Sequence, residues 1–132
     1  MSKFTLDIQA FCEKAKKNPE TVVRSVSLKL FSAIIKSSPV DIGLFRGNWQ
    51  TSGATPATGL VAGVDPTGDK AVTKAYTYIG NAPNWYEFTL TNNLPYAERL
   101  EYGWSKQAPT GMLRVNIARF NTLLNEEAAK VK

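Results

Sequence analysis

Between positions 22 and 34, apolar residues return at three- and four-residue steps: Val22, Val23, Val26, Leu30 and Ile34, with Phe31 and Ala33 widening the stripe. That period is the one-sided pattern of a helix laid on a core. Asn18-Pro19-Glu20 reads as its start, with asparagine as N-cap, proline in the first turn and a glutamate favoured by the helix dipole. Pro39 disfavours helical backbone at Ser38, so the helix is expected to end at Lys36 or Ser37, about 27 Å from its start. A shorter amphipathic helix is predicted over 6–17, with Ile8, Phe11, Cys12 and Ala15 on one side and Lys14, Lys16 and Lys17 on the other.

The period then changes. Across 47–52, Trp49 and Thr51 share one face and Asn48 and Gln50 the other, which is the alternation of a strand. Residues 53–59 are small and polar, a loop or hairpin connection, and a short apolar stretch at 60–62 follows. Asp65-Pro66 repeats the cap-plus-proline signal ahead of a second stripe, Ala71, Val72, Ala75, Tyr76 and Ile79, with Gly80 placed to end that helix in a left-handed conformation. Residues 85–91 alternate again: Tyr86, Phe88 and Leu90 on one side, Glu87, Thr89 and Thr91 on the other, a half-buried strand. YAERLEY (96–102) predicts one or two helical turns closed by Gly103, with Ala97, Leu100 and Glu101 facing the same way. Thr110 is placed to cap a last helix from Met112, carrying Leu113, Ile117, Phe120, Leu123 and Leu124 before a polar tail at 125–132. Helices and a few strands without a βαβ rhythm predict an α+β class: an antiparallel sheet packed by the long helix and further helices. The domain expectation is a single unit over 1–132, with 1–18 as N-terminal helix and basic segment.

Composition narrows the chemistry. The 132 residues suit one domain that buries about two-thirds of its surface. No apolar run approaches the roughly 20 residues a membrane helix needs, and MSKFTLDIQAF lacks the h-region of a secretory signal. The chain has no histidine and a single cysteine, Cys12. That removes the commonest general base, every Ser-His or Cys-His dyad, and the ordinary zinc donor sets. The expectation is therefore no catalytic residue, no metal and no cofactor. A net charge of +5 leans toward anionic surroundings, with Lys14, Lys16 and Lys17 as a solvated helix face or a surface for DNA.

SPVDIGLFRGNW (38–49) is the densest stretch. It lacks the glycine-lysine pattern of a phosphate loop and precedes a strand, whereas a phosphate loop leads into a helix N-terminus. As a turn it makes sense: Pro39 ends the helix, Asp41 can bond backbone amides, and Gly43 supplies a positive φ. Arg46 is expected to pair with Glu101 or Asp41, or to touch a neighbouring subunit. The carboxylate pairs Glu98/Glu101 and Asp65/Asp69 read as capping, ion-paired or solvated groups rather than a glycosidase dyad. Tyr96, Tyr102 and Trp104 fall in a stretch rich in aromatics that suits either core or a subunit interface.

SPVDIGLFRGNWQTS followed by LTNNLPYAERLEYGWSKQAPTGMLR resembles the neck and tail-completion proteins of long-tailed bacteriophages, the group typified by the lambda minor tail protein Z. The first signature falls on Pro39, Val40, Asp41, Gly43, Phe45, Arg46 and Trp49. The second falls on Asn93, Pro95, Tyr96, Ala97, Leu100, Glu101 and Gly103. Order and spacing match over about residues 20 to 125; Ile42 departs from the threonine often found there. The resemblance implies a structural α+β subunit at the head–tail junction, acting in tail maturation and head–tail joining. Its partners would be other tail or head-closure proteins and further copies of itself in a ring, with DNA in the channel. The subunit would be assembled in the host cytoplasm and carried in the virion, and could be monomeric when isolated. The competing expectation is a small basic DNA-binding domain, with an unrecognised hydrolase behind it.

Overall fold

The computed structural model describes residues 18–40, 42–102, 107, 111–119 and 122. Helix α1 spans Pro19–Ser37, and the side chain of Asn18 accepts from the Thr21 amide at its start, as the cap signal predicts. It ends where Pro39 requires, with Ser38 extended. Its buried positions are Val22, Val23, Val26, Leu30, Phe31, Ile34 and Ile35.

Between α1 and the first strand the chain makes a short helix that the pattern does not predict, α2 at Leu44–Gly47. Strand β1 therefore begins at Trp49 and covers Trp49–Ser52. A long connection leads to α3, Asp69–Asn81. Strand β2, Thr89–Asn92, pairs antiparallel with β1 in the register Trp49↔Asn92 to Ser52↔Thr89, making a two-stranded sheet. Helices α4 (Ala97–Glu101) and α5 (Leu113–Ala118) follow. The α+β class and the packing of helices on an antiparallel sheet are as expected. α1 lies against α3 and α5, and α3 against β1, so one core gathers Ile34, Ile35, Phe45, Trp49, Ile79 and Met112.

Three local expectations change. Helix α3 starts at Asp69, yet Asp65 still serves it: its buried carboxylate accepts from the Ala71 amide at 2.9 Å. Gly80 does not end α3, which runs on through Asn81. Instead the Arg24 guanidinium of α1 bonds the carbonyls of Ile79 and Ala82, so a side chain satisfies groups that a left-handed glycine would otherwise help to satisfy. Residues 85–88 are not strand. Tyr86, expected on the covered face with Phe88, is 74% exposed and stacks on Trp85 with centroids 4.4 Å apart. Strand β2 is buried on both faces rather than one. The predicted helix over 6–17, Cys12, Thr110 and the residues from Phe120 to the tail lie outside the described residues, Thr122 excepted.

Candidate functional site

The Ser38–Trp49 segment closes on itself and on the Asp65–Gly68 turn. The Ser38 hydroxyl donates to the Ile34 carbonyl at 2.8 Å and accepts from the Trp49 indole at 2.7 Å, both residues being buried. Gly43 has φ +92°, as the turn reading expects, and its carbonyl accepts from the amides of Gly47 and Asp65 together. The backbone contact is close: a Cβ on Gly43 would sit 2.4 Å from the Pro66 nitrogen. Arg46 spans the same junction, donating to the Ser38 carbonyl at 2.6 Å and the Pro66 carbonyl at 2.9 Å. Burial pulls its guanidinium below the ordinary value, and the charge of Asp65 opposes that shift.

Arg46 is therefore not held by Glu101, which corrects the expected pairing; Asp41, the second choice, lies outside the described residues. Two backbone carbonyls, one on each side of the junction, take the forked donors instead, a geometry open to a planar guanidinium. Glu101 is engaged elsewhere. One carboxylate oxygen accepts from the amides of Met112 (2.9 Å) and Leu113 (2.7 Å), the other from the Arg114 amide and Nε, each at 3.0 Å. This carboxylate caps α5, the role the sequence assigned to Thr110. Burial pushes the Glu101 carboxyl up, but the bonds from Arg114, Leu113 and Met112 outweigh it and hold the group below the usual carboxylate range. Arg114 also bonds the Glu101 carbonyl and lies over the Tyr102 ring, 4.8 Å from its centroid.

The two signature segments meet. The Phe45 ring is 5.7 Å from Trp49, edge-on, and 6.1 Å from Tyr96, while the buried Asn92 amide donates to the Phe45 carbonyl at 2.9 Å. Beside this junction opens a cleft of about 430 Å³ whose walls include Trp49, Leu94, Pro95, Glu98, Tyr102 and Leu113. Tyr102 is exposed at its margin, and Tyr96 sits between the lining residues Pro95 and Ala97. The structure thus brings Tyr96, Tyr102 and Glu101 to one region and sets Gly43 and Arg46 at the neighbouring turn. Trp104, Lys14, Lys16 and Lys17 lie outside the described residues.

Sequence reasoning missed a clasp of side-chain amides. Asn48, fully buried, donates to the Val61 carbonyl and accepts from the Val61 amide at 2.8 Å. Gln50 donates to the Gly59 carbonyl, and Asn93 to those of Ala57 and Gly59, each at 3.0 Å. Together they hold residues 57–61 against the polar side of the sheet. The signal was present: Asn48 and Gln50 alternate with Trp49 and Thr51, and buried amides must find partners. Among the other carboxylates weighed, Asp65 caps α3, Asp69 pairs with Lys36, and Glu98 has no hydrogen-bond or ion-pair partner among the described residues. No group of three or more His, Cys, Asp or Glu among the described residues is placed to hold a metal.

No family model, curated protein or solved structure matches the chain. No helix among the described residues is long and apolar enough to cross a membrane.

Proposed function

We propose that this chain is a non-enzymatic structural subunit of a long-tailed phage, a neck or tail-completion protein that acts at the head–tail junction and is carried in the virion. One observation carries the reading: the two segments that resemble that family meet at Phe45, Trp49, Asn92 and Tyr96, although more than forty residues separate Trp49 from Asn92 in the chain. Described residues of both signatures are spent on architecture. Gly43 and Arg46 close the turn, Trp49 is bonded to Ser38, and Glu101 caps α5. An enzyme would aim such residues at a substrate; a subunit that must present a fixed surface uses them to fix shape. The surface is the Tyr96–Tyr102 region, where Tyr102 is exposed at the margin of the cleft and Tyr96 is exposed beside its lining residue Pro95, aromatic residues of the kind enriched at protein interfaces. Its partners would be further copies in a ring and other tail or head-closure proteins.

Complementation of a phage lacking the gene tests this. Tyr102→Ala and Trp104→Ala should leave separate heads and tails in electron micrographs while the purified variants keep the wild-type circular dichroism spectrum. Normal plaque numbers with both variants would remove the cleft from the assembly role. Virions that lack the protein yet carry joined tails would remove the function altogether.

A further inference from the structure

Tyr102 closes α4, and its backbone is fixed: its amide donates to the carbonyls of both Glu98 and Leu100. Its ring is 63% exposed, so rotation about χ1 and χ2 is the freedom that burial does not remove. Arg114 removes it. The Arg114 amide and Nε both donate to one Glu101 carboxylate oxygen, at 3.0 Å each, and a terminal nitrogen donates to the Glu101 carbonyl at 2.6 Å. The residue that holds the arginine is the chain neighbour of the tyrosine. The guanidinium therefore cannot shift relative to the Tyr102 backbone without breaking those bonds. From there it lies over the ring, 4.8 Å from the centroid, a distance at which a cation attracts the π face. Holding α5 does not require this side chain, because the Glu101 carboxylate already takes the amides of Met112, Leu113 and Arg114. The Arg114 side chain is also 55% exposed, and an ion pair in that setting stabilises a fold little.

We propose that Arg114 is a positioning residue for the assembly surface: it pins one face of the Tyr102 ring at the cleft margin and leaves the other face, the edge and the hydroxyl for the docking partner. The inference rests on the assembly reading of the Tyr96–Tyr102 region and supplies what keeps its most exposed ring in one pose. An aromatic anchor contributes most when it need not be ordered at the moment of binding. Fixing one such side chain in advance strengthens binding about two- to tenfold. Glu101 then serves two ends at once. Its carboxylate caps α5, and through Arg114 it orients the residue that follows it in the chain.

Nuclear magnetic resonance of the full-length protein with isotope-enriched tyrosine tests the pose. Three-bond χ1 couplings of Tyr102 should report one rotamer in the wild type and an average over rotamers in Arg114→Gln, while hydrogen exchange at the Met112 and Leu113 amides keeps the wild-type rate. Averaged couplings in the wild type would overturn the proposal, and so would a single rotamer that persists in Arg114→Gln. Faster exchange at both amides in the variant would assign the arginine to α5 and overturn it as well. Joining of heads and tails from a phage lacking the gene, titrated with purified protein, tests what the pose is for. Arg114→Gln should raise the concentration for half-maximal joining about two- to tenfold, and should change nothing further once Tyr102→Ala is present. The same rise with and without the tyrosine would break the link between Arg114 and the ring. Wild-type joining by Tyr102→Ala, with the ring of the unsubstituted protein held in one rotamer, would remove the assembly reading and leave the positioning of Tyr102 by Arg114 intact.

Discussion

Replacing Glu101 by glutamine removes one charge and changes almost no volume, so it isolates what the carboxylate does for α5. In the structure the carboxylate receives three consecutive backbone amides and the Arg114 Nε, and its side chain is 10% exposed. Hydrogen bonds to a charged group contribute about 1.5–3 kcal/mol each, and bonds sharing one carboxylate do not add. In Glu101→Gln one oxygen can still accept from Met112 and Leu113, but the new NH₂ meets the Arg114 amide and Nε donor to donor. A loss of about 2–3 kcal/mol is expected, and about 3–4 kcal/mol for Glu101→Ala, which leaves buried amides unpaired. Urea unfolding of wild type and both variants at neutral pH measures this, with a fall in Tm of roughly 3 °C per kcal/mol as a second readout. The pH dependence carries the sign. The folded-state pKa lies below the unfolded one, so the contribution is complete above the unfolded carboxyl value of about 4.3 and is lost as pH falls through the folded value. Glutamine does not titrate, so the gap between wild type and Glu101→Gln should close as the solution is acidified below that point. A gap under about 0.5 kcal/mol at neutral pH, or one unchanged by acid, would refute the capping role.

Gly43→Ala should destabilise by about 3 kcal/mol or more, because both its positive φ and the Pro66 backbone forbid a Cβ. Gly59→Ala, with φ +79° but open space around it, should show only the conformational part, and equal Tm shifts for the two would rule out the close approach as the cause. Asn48→Ala should raise hydrogen–deuterium exchange at the Val61 amide at least about tenfold, since that amide loses its acceptor; unchanged protection would mean the loop is held by something else. Trp49→Phe removes the indole donor to Ser38, whose hydroxyl keeps its bond to the Ile34 carbonyl, and leaves a small void in the core, so a loss of about 1–2 kcal/mol is expected in chemical denaturation; wild-type stability would show that neither the indole bond nor its packing contributes.

The parts of the fold legible in the sequence are those where local pattern and final environment agree. The stripe from Val22 to Ile34, its Asn18 cap and its stop before Pro39 need no knowledge of the rest of the chain. Gly43 was legible for the same reason, since a tight turn beside a proline wants a positive φ. Elements decided by distant partners were not. Gly80 lost its role as terminator to Arg24, which comes from α1. The Thr89 and Thr91 face looked solvated by alternation and is buried. Glu101 is not in the expected Arg46 contact because the amides at the start of α5, eleven to thirteen residues further on, occupy its carboxylate. The candidate site was legible as two segments and illegible as one place, because the Phe45–Tyr96 contact spans a sequence separation that no local period encodes.

The clasp on residues 57–61 grips peptide groups and ignores side chains. Asn48, Gln50 and Asn93 bind the same carbonyls and amide whatever residues supply them. The loop's path and its composition are thereby uncoupled. Substitutions at Thr58, Leu60 or Ala62 can alter which side chains the loop presents without moving where it presents them, so this stretch can diverge while the sheet beneath it stays constant. Directed diversification of this surface would begin there, with Asn48 and Asn93 held fixed as the frame.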